Sequence, residues 1–215
     1  DDNAMYTGFG KDGNPFYVCF YVYKTGKGDH KVAADISSYM NGYSDPRRSA
    51  MLTQSTFSGP GMSNGYVGLR RGITVPSSTF VDEYSSYNVT SATSIMWMNA
   101  SETSFLRAEG ALRGWAMGGD ARSLYEQGIA LSFARFNLQG AEAYCMQPAD
   151  YRDSGGLGHS APAQSSVTIA WNDAGAGAFE ENLERIITQK WIANFPLGSE
   201  AWAEYRRTGY PRLFP

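Results

Sequence analysis

A mainly helical fold, assembled from helical hairpins with long irregular loops and little strand, is what this 215-residue sequence predicts, and three observations predict it. Apolar residues recur at helical spacing in two long stretches, Asn99 to Leu138 and Phe179 to Gly209. Helix start and stop residues punctuate both stretches. The rest of the chain is rich in turn-forming and amphipathic residues, with 24 Gly and 14 Tyr, a mixture suited to loops.

The elements follow in order. Phe16 to Tyr23 is a dense aromatic and β-branched run after Pro15 and before Gly26, which predicts a buried strand or extended segment. Asp29 is placed to cap a helix from Lys31 to Met40, in which Val32, Ile36 and Met40 recur at helical spacing. From Asn41 to Pro76 the chain carries Asp45-Pro46-Arg47 and Gly59-Pro60-Gly61 and reads as irregular structure fixed by turn residues. Tyr84 to Thr93 and Asp150 to Ser166 are two further loops. Asn99 and Glu102 have the spacing of a capping box. Phe105, Ala108, Leu112, Trp115 and Ala116 share one face of the helix they open, which should run to Gly118-Gly119. Asp120 can cap the next helix. Its rows Leu124, Leu131, Leu138 and Tyr125, Ile129, Phe133, Phe136 make an apolar surface broad enough to demand burial between other elements. In the last stretch Leu183, Ile186, Ile187 and Ala193 form one stripe with Trp191 at its edge, and Ile192 lies opposite. Glu181 and Arg185 have the spacing of an exposed pair, and Pro196 supplies a stop. Ser199 offers a cap to a second helix whose Trp202 and Tyr205 can lie back on the first, with Gly209 suited to a left-handed exit. Two such pairs fit a tetratricopeptide-like logic, in which each pair needs a neighbour to bury its second face.

Composition excludes several partners. A formal charge of −3 with 18 Lys and Arg gives no basic field for nucleic acid, and no helix joins a cationic face to a membrane-seeking one. No run approaches the ~20 apolar residues of a membrane helix, and the chain opens on Asp1-Asp2 rather than on a targeting segment. Cys19 and Cys145 stand in no metal-like or redox-like spacing. Both read as buried free thiols, with a disulfide as the alternative. Asn88 and Asn99 match the glycosylation sequon, although Asn99 has a better use as a helix cap.

No catalytic or metal-binding constellation emerges. His30 and His159 lie in loops with no nucleophile motif nearby. The acidic pairs Asp82-Glu83 and Asp150/Asp153 are the only candidates for the two carboxylates of a glycosidase, and solvated loop acids are their simpler reading. The second pair lacks the alternating ligands and fixed Gly of a dedicated calcium loop, and the glycines at 59, 61, 118 and 119 follow no strand into a phosphate-binding helix. Absence of a catalytic constellation points to binding rather than turnover, with no cofactor and no metal.

Five segments carry a resemblance: MNGYSDPR (Met40–Arg47), YVGLRRG (Tyr66–Gly72), Trp97–Gly119 with its FLRAEGALRGWAMGG core, LYEQGIALSF (Leu124–Phe133), and Asn182–Pro211 with EAWAEYRRTGYP. In this order they resemble the SusD/RagB-like outer-membrane nutrient-binding lipoproteins. The last is the most specific. The resemblance implies a mainly helical fold of tetratricopeptide-like pairs, a lipid anchor outside the outer membrane, and a TonB-dependent transporter as partner, with glycans or peptides held for import. It also implies that residues 1–215 are a carboxy-terminal portion of one domain, loop-rich over 1–98 and built of helical hairpins over 99–215, with the anchoring cysteine elsewhere.

Loops on a helical scaffold are where binding functions sit, and the 57–90 region has the most rings per residue. Tyr66, Tyr84 and Tyr87 are therefore the candidate stacking rings, with Arg70 and Asn88 as polar partners, because Tyr joins an apolar body to a polar tip at small entropic cost. Two other readings stay open, a structural cap on the transporter that binds no small ligand, and a glycoside hydrolase.

Overall fold

The computed structural model describes residues 3–23, 28–57, 65–77, 79–148 and 162–215. The chain divides into two compact units. One comprises Asp1–Ala4, Met98–Asp150 and Gln164–Pro215, the other Met5–Trp97 and Tyr151–Ala163. The mainly helical architecture expected from the sequence is present. Among the described residues the only sheet has two strands, β1 (Ala4–Tyr6) and β2 (Ile95–Met98), and no helix is long and apolar enough to cross a membrane.

The loop-rich unit opens with a correction. Residues 16–23 form no strand: α1 (Pro15–Tyr17) runs directly into a π-helical turn over Val18–Val22, and none of these residues is fully buried. The deciding signal precedes the aromatic run. Asn14 accepts from the backbone N–H of Phe16 (2.7 Å) and Tyr17, and Pro15 stands at the first helical position, where its missing N–H costs nothing. Next comes α2 (Ala34–Gly42), buried along its whole length. It starts three residues later than the sequence suggests and no side chain caps it, so Asp29 does not have that role. Instead, Ala33 is extended and forms a parallel bridge with Leu69: Leu69 N–H donates to Val32 O (2.7 Å) and Ala34 N–H to Leu69 O (2.9 Å). A short α3 (Arg48–Met51) interrupts the irregular region after Asn41.

The helical unit is built from α4 (Ala100–Leu112), α5 (Ala121–Arg135), α6 (Ala141–Cys145), α7 (Phe179–Ala193) and α8 (Gly198–Thr208). Helix α4 packs against α5 and α7, α5 also against α6 and α7, and α7 against α8. Phe105, Ala108, Leu124, Tyr125, Ile129, Phe133, Ile186, Ile187 and Ala193 form the core that the helical periodicity marks out. Gly128 lets α5 approach α4, since a Cβ there would lie 2.7 Å from the Phe105 ring. The Asn99 side chain serves two helix ends. Its oxygen accepts from Ser101 N–H at the start of α4, while its Nδ2 donates to Ala193 O and Asn194 Oδ1 (both 3.0 Å) at the end of α7.

Several expectations need revision here. Glu102 does not close the capping box; it pairs with the buried Lys190 (3.2 Å). Helix α4 stops at Leu112 with a backbone reversal through Gly114 (φ +84°), so Trp115 and Ala116 lie beyond the helix and are exposed. The α5 pattern ends three residues early, with Leu131, Phe136 and Leu138 only half-buried. Arg185 belongs to no exposed pair. It is fully buried, donating to Thr168 O (2.7 Å), Thr168 Oγ1 (3.1 Å), Asn182 and Glu181. Ser199 does not cap α8, which begins one residue before it, and Trp202 is exposed, stacked with Tyr205 rather than folded onto α7. Gly209 does end α8 in the left-handed region (φ +76°). Both cysteines are free thiols, Cys145 buried and Cys19 half-exposed.

Candidate functional site

The loop-rich unit assembles its candidate site on one helix. Polar side chains of α2 reach residues 66–71: Asn41 Nδ2 donates to Tyr66 O (2.7 Å), Ser37 Oγ accepts from Gly68 N–H (2.9 Å), and the Asp35 carboxylate pairs with the Arg71 side chain (3.2 Å). Gly68 is required by this approach, because a Cβ would stand 2.3 Å from Ala33 O. The same segment holds the loop 84–88. Ser85 N–H donates to Val67 O (2.8 Å) and Ser85 Oγ accepts from Val67 N–H (3.0 Å).

From the other side α3 completes the frame. Leu52 and Tyr87 form an antiparallel bridge, Asn88 N–H donates to Met51 O (2.8 Å), and Asn88 Nδ2 donates to Ala50 O (3.2 Å) at the end of that helix. At the turn before α3, Asp45 and Arg47 form a fully buried pair, with Arg47 Nε 2.9 Å from Asp45 Oδ1. Tyr21 donates its hydroxyl to Tyr87 O (2.6 Å); burial, then the neighbouring Tyr17, pushes the Tyr21 phenol above its ordinary range.

The structure thus brings the segments carrying Tyr66, Arg70, Tyr84, Tyr87 and Asn88 into one unit, with their side chains in different settings. Tyr66, Tyr84 and Tyr87 are only 8%, 3% and 7% exposed, while Arg70 is half-buried and Asn88 is exposed. Each ring has protein partners. The Arg48 guanidinium stands 5.4 Å from the centre of Tyr66, Tyr84 packs with Phe57 and Phe80, and Tyr87 meets Phe16 and Phe20 edge-on. Sequence reasoning did not anticipate these clusters, because Phe16 and Phe20 come from a run that composition assigns to a strand and Phe57 from a loop distant in sequence from Tyr84.

Among the other candidates, Asp82 is half-exposed and Glu83 exposed in a 3-10 turn (Phe80–Glu83), and His30 is an exposed loop residue beside Phe20. Asp150, Asp153, His159, Gly59 and Gly61 lie outside the described residues. Among the described residues no group of three or more His, Cys, Asp or Glu is arranged to hold a metal ion. Three tryptophans that sequence reasoning did not select, Trp97, Trp115 and Trp202, are the strongly exposed ones. Helical spacing assigned the last two to core faces, and only the true helix ends and exposure reveal them.

The family model that describes the SusD and RagB outer-membrane lipoproteins matches residues 1–215. The chain belongs to this family. It shares 46% identity, with a TM-score of 0.87, with a SusD homologue from Bacteroides thetaiotaomicron VPI-5482, covering 100% of this chain and 44% of that one. A SusD homologue from Bacteroides uniformis ATCC 8492 is 43% identical with a TM-score of 0.86, again over 100% of this chain and 44% of the other. A chitin-binding SusD homologue from Flavobacterium johnsoniae is 38% identical with a TM-score of 0.79, covering 94% of this chain and 41% of that one. The chain therefore spans less than half the length of these relatives. No curated protein matches it.

Proposed function

We propose that this SusD/RagB family member binds glycans at the cell surface and delivers them to a TonB-dependent outer-membrane transporter, without turning them over. The observation that carries the reading is the match of residues 1–215 to an outer-membrane lipoprotein family that includes the 38%-identical chitin-binding homologue. The loop cluster of Tyr66, Arg70, Tyr84, Tyr87 and Asn88 is the proposed ligand-facing element. Asn88 and Arg70 offer hydrogen bonds to sugar hydroxyls, and the three packed rings fix the shape of the loops that carry them. A buried base of this kind, with each ring packed on its own neighbours, supports preorganisation, which lowers the entropy lost on binding.

The test is an array of oligosaccharides and peptides probed with the full-length protein, followed by titration calorimetry on alanine variants at the five positions. Glycan binding weakened by Asn88→Ala or Arg70→Ala supports the assignment. Selective peptide binding moves the ligand class, and release of new reducing ends overturns the binder reading. Co-purification with an outer-membrane transporter tests the partner; its failure with glycan binding intact removes the transporter alone.

A further inference from the structure

The run that forms α1 and the π-helical turn carries two rows of rings, each spaced four residues apart. Phe16 and Phe20, without polar tips, meet the Tyr87 ring edge-on, both with centres 6.0 Å away. Tyr17 and Tyr21 form the second row and stack on one another, centres 5.5 Å apart and planes 27° from parallel. One member of this stack is tied down. Tyr21 donates its hydroxyl to Tyr87 O (2.6 Å), and the next residue in that loop is the exposed Asn88. The other member is not. Tyr17 is half-buried, Tyr21 is its only ring partner and its hydroxyl makes no hydrogen bond among the described residues.

The backbone beneath the stack is fixed at both ends. The buried Asn14 caps α1 and donates through Nδ2 to Thr93 O (2.6 Å). At the far end Tyr23 N–H closes the π turn on Val18 O, and Asp29 N–H donates to Cys19 O (2.9 Å). A Cβ on Gly28 would collide with Phe20 O, so the returning chain lies directly against the turn. Turns of this kind are uncommon and frequently mark functional sites. This one holds an amphipathic ring in a set position beside the proposed ligand-facing loops, whose own rings Tyr66, Tyr84 and Tyr87 are buried.

We propose that the face of Tyr17 turned away from Tyr21 is the stacking platform of the glycan site, and that it takes one pyranose ring whose hydroxyls are all equatorial. The proposal rests on the glycan-binding reading and names the class of sugar. Such a ring keeps its hydroxyls near its own plane, open to polar neighbours and water, and shows only axial C–H groups to the phenol. An axial hydroxyl on that side points into the ring face and loses its water without a replacement bond.

The experiment uses the full-length protein and three β-linked hexasaccharides that share one linkage, of glucose, of N-acetylglucosamine and of mannose, the last differing from the first by one axial hydroxyl per ring. In proton NMR the axial hydrogens of a bound glucose or N-acetylglucosamine ring should move upfield in the ring current of Tyr17. One or both of these probes should bind at least about fivefold tighter than the mannose hexamer. Tyr17→Leu keeps apolar bulk and should abolish the upfield shift while weakening binding about fivefold or more. Tyr17→Phe should retain both, because the hydroxyl it removes is unbonded. Equal affinity for the mannose hexamer, an upfield shift or an affinity unchanged in Tyr17→Leu, or failure of the glucose and N-acetylglucosamine hexamers while the array finds another glycan overturns the stacking proposal and leaves the glycan reading standing. Binding of peptides with no glycan bound removes both.

Discussion

At the scale of single residues, buried charge decides more than the apolar core. Asp45 and Arg47 are both fully buried and pair with each other. Asp45→Ala removes the carboxylate paired with a buried guanidinium and should cost about 3–5 kcal/mol in urea unfolding. Pairing it with Arg47→Met should recover much of that loss, because removing both charges removes the desolvation penalty as well. A double variant no more stable than the single one contradicts this account. Glu109 makes a pH prediction. Burial, the largest single influence, pushes its carboxyl up, but hydrogen bonds from Arg207 and Arg113 together with their charge hold it below the usual glutamate range. A carboxyl lowered in the folded state contributes stability that is present above its unfolded value and lost as pH falls through the folded one. Stability should therefore fall on acidification from the usual glutamate range downward. Glu109→Gln should flatten that slope, read from unfolding midpoints at successive pH values.

At the scale of elements, helix pairs are set by how closely backbones approach. Gly128 faces the Phe105 ring, so Gly128→Ala opposes two magnitudes: a helix-propensity gain of about 1 kcal/mol against about 1–3 kcal/mol for overpacking. The ring is fully buried and has no room to yield, so the variant should be destabilised, seen as a lower melting temperature; a raised one would mean that α4 and α5 are looser than described. The same elements show what periodicity can reveal. Spacing identified α4, α5 and α7 and their inward rows because burial of an apolar stripe repeats with the helical turn. It could not tell that Trp115 lies past the end of α4, since Gly114 ends the helix without disturbing the apolar count. Nor could it see that Arg185, at ideal spacing for a surface pair, is drawn inside by the carbonyl of Thr168, a partner 17 residues away. The run Phe16–Tyr23 misled for the reverse reason. Its composition suits a strand, and the local cap at Asn14-Pro15 overrides it.

At the scale of the whole molecule, family and helical class were legible because ordered landmarks span most of the chain, while the arrangement of the site was not. The rings Tyr66, Tyr84 and Tyr87 were chosen as loop residues, and loop residues in sequence carry no mark of whether long-range partners such as Phe16 or Phe57 will cover them. The chemistry of the proposed cluster nevertheless separates the functional classes. Phenol, guanidinium and amide groups do not ordinarily change charge between about pH 5.5 and 8.5, whereas a glycosidase depends on one protonated and one ionised carboxyl and a calcium lectin on ionised ligands. Glycan affinity measured by calorimetry should therefore vary by less than about threefold across that range and survive chelator, a shift worth under ~0.7 kcal/mol. A bell-shaped profile centred near neutrality, lost in Asp82→Asn or Glu83→Gln, would return the hydrolase reading. Loss of binding in chelator would place a metal among residues that the proposed cluster does not include.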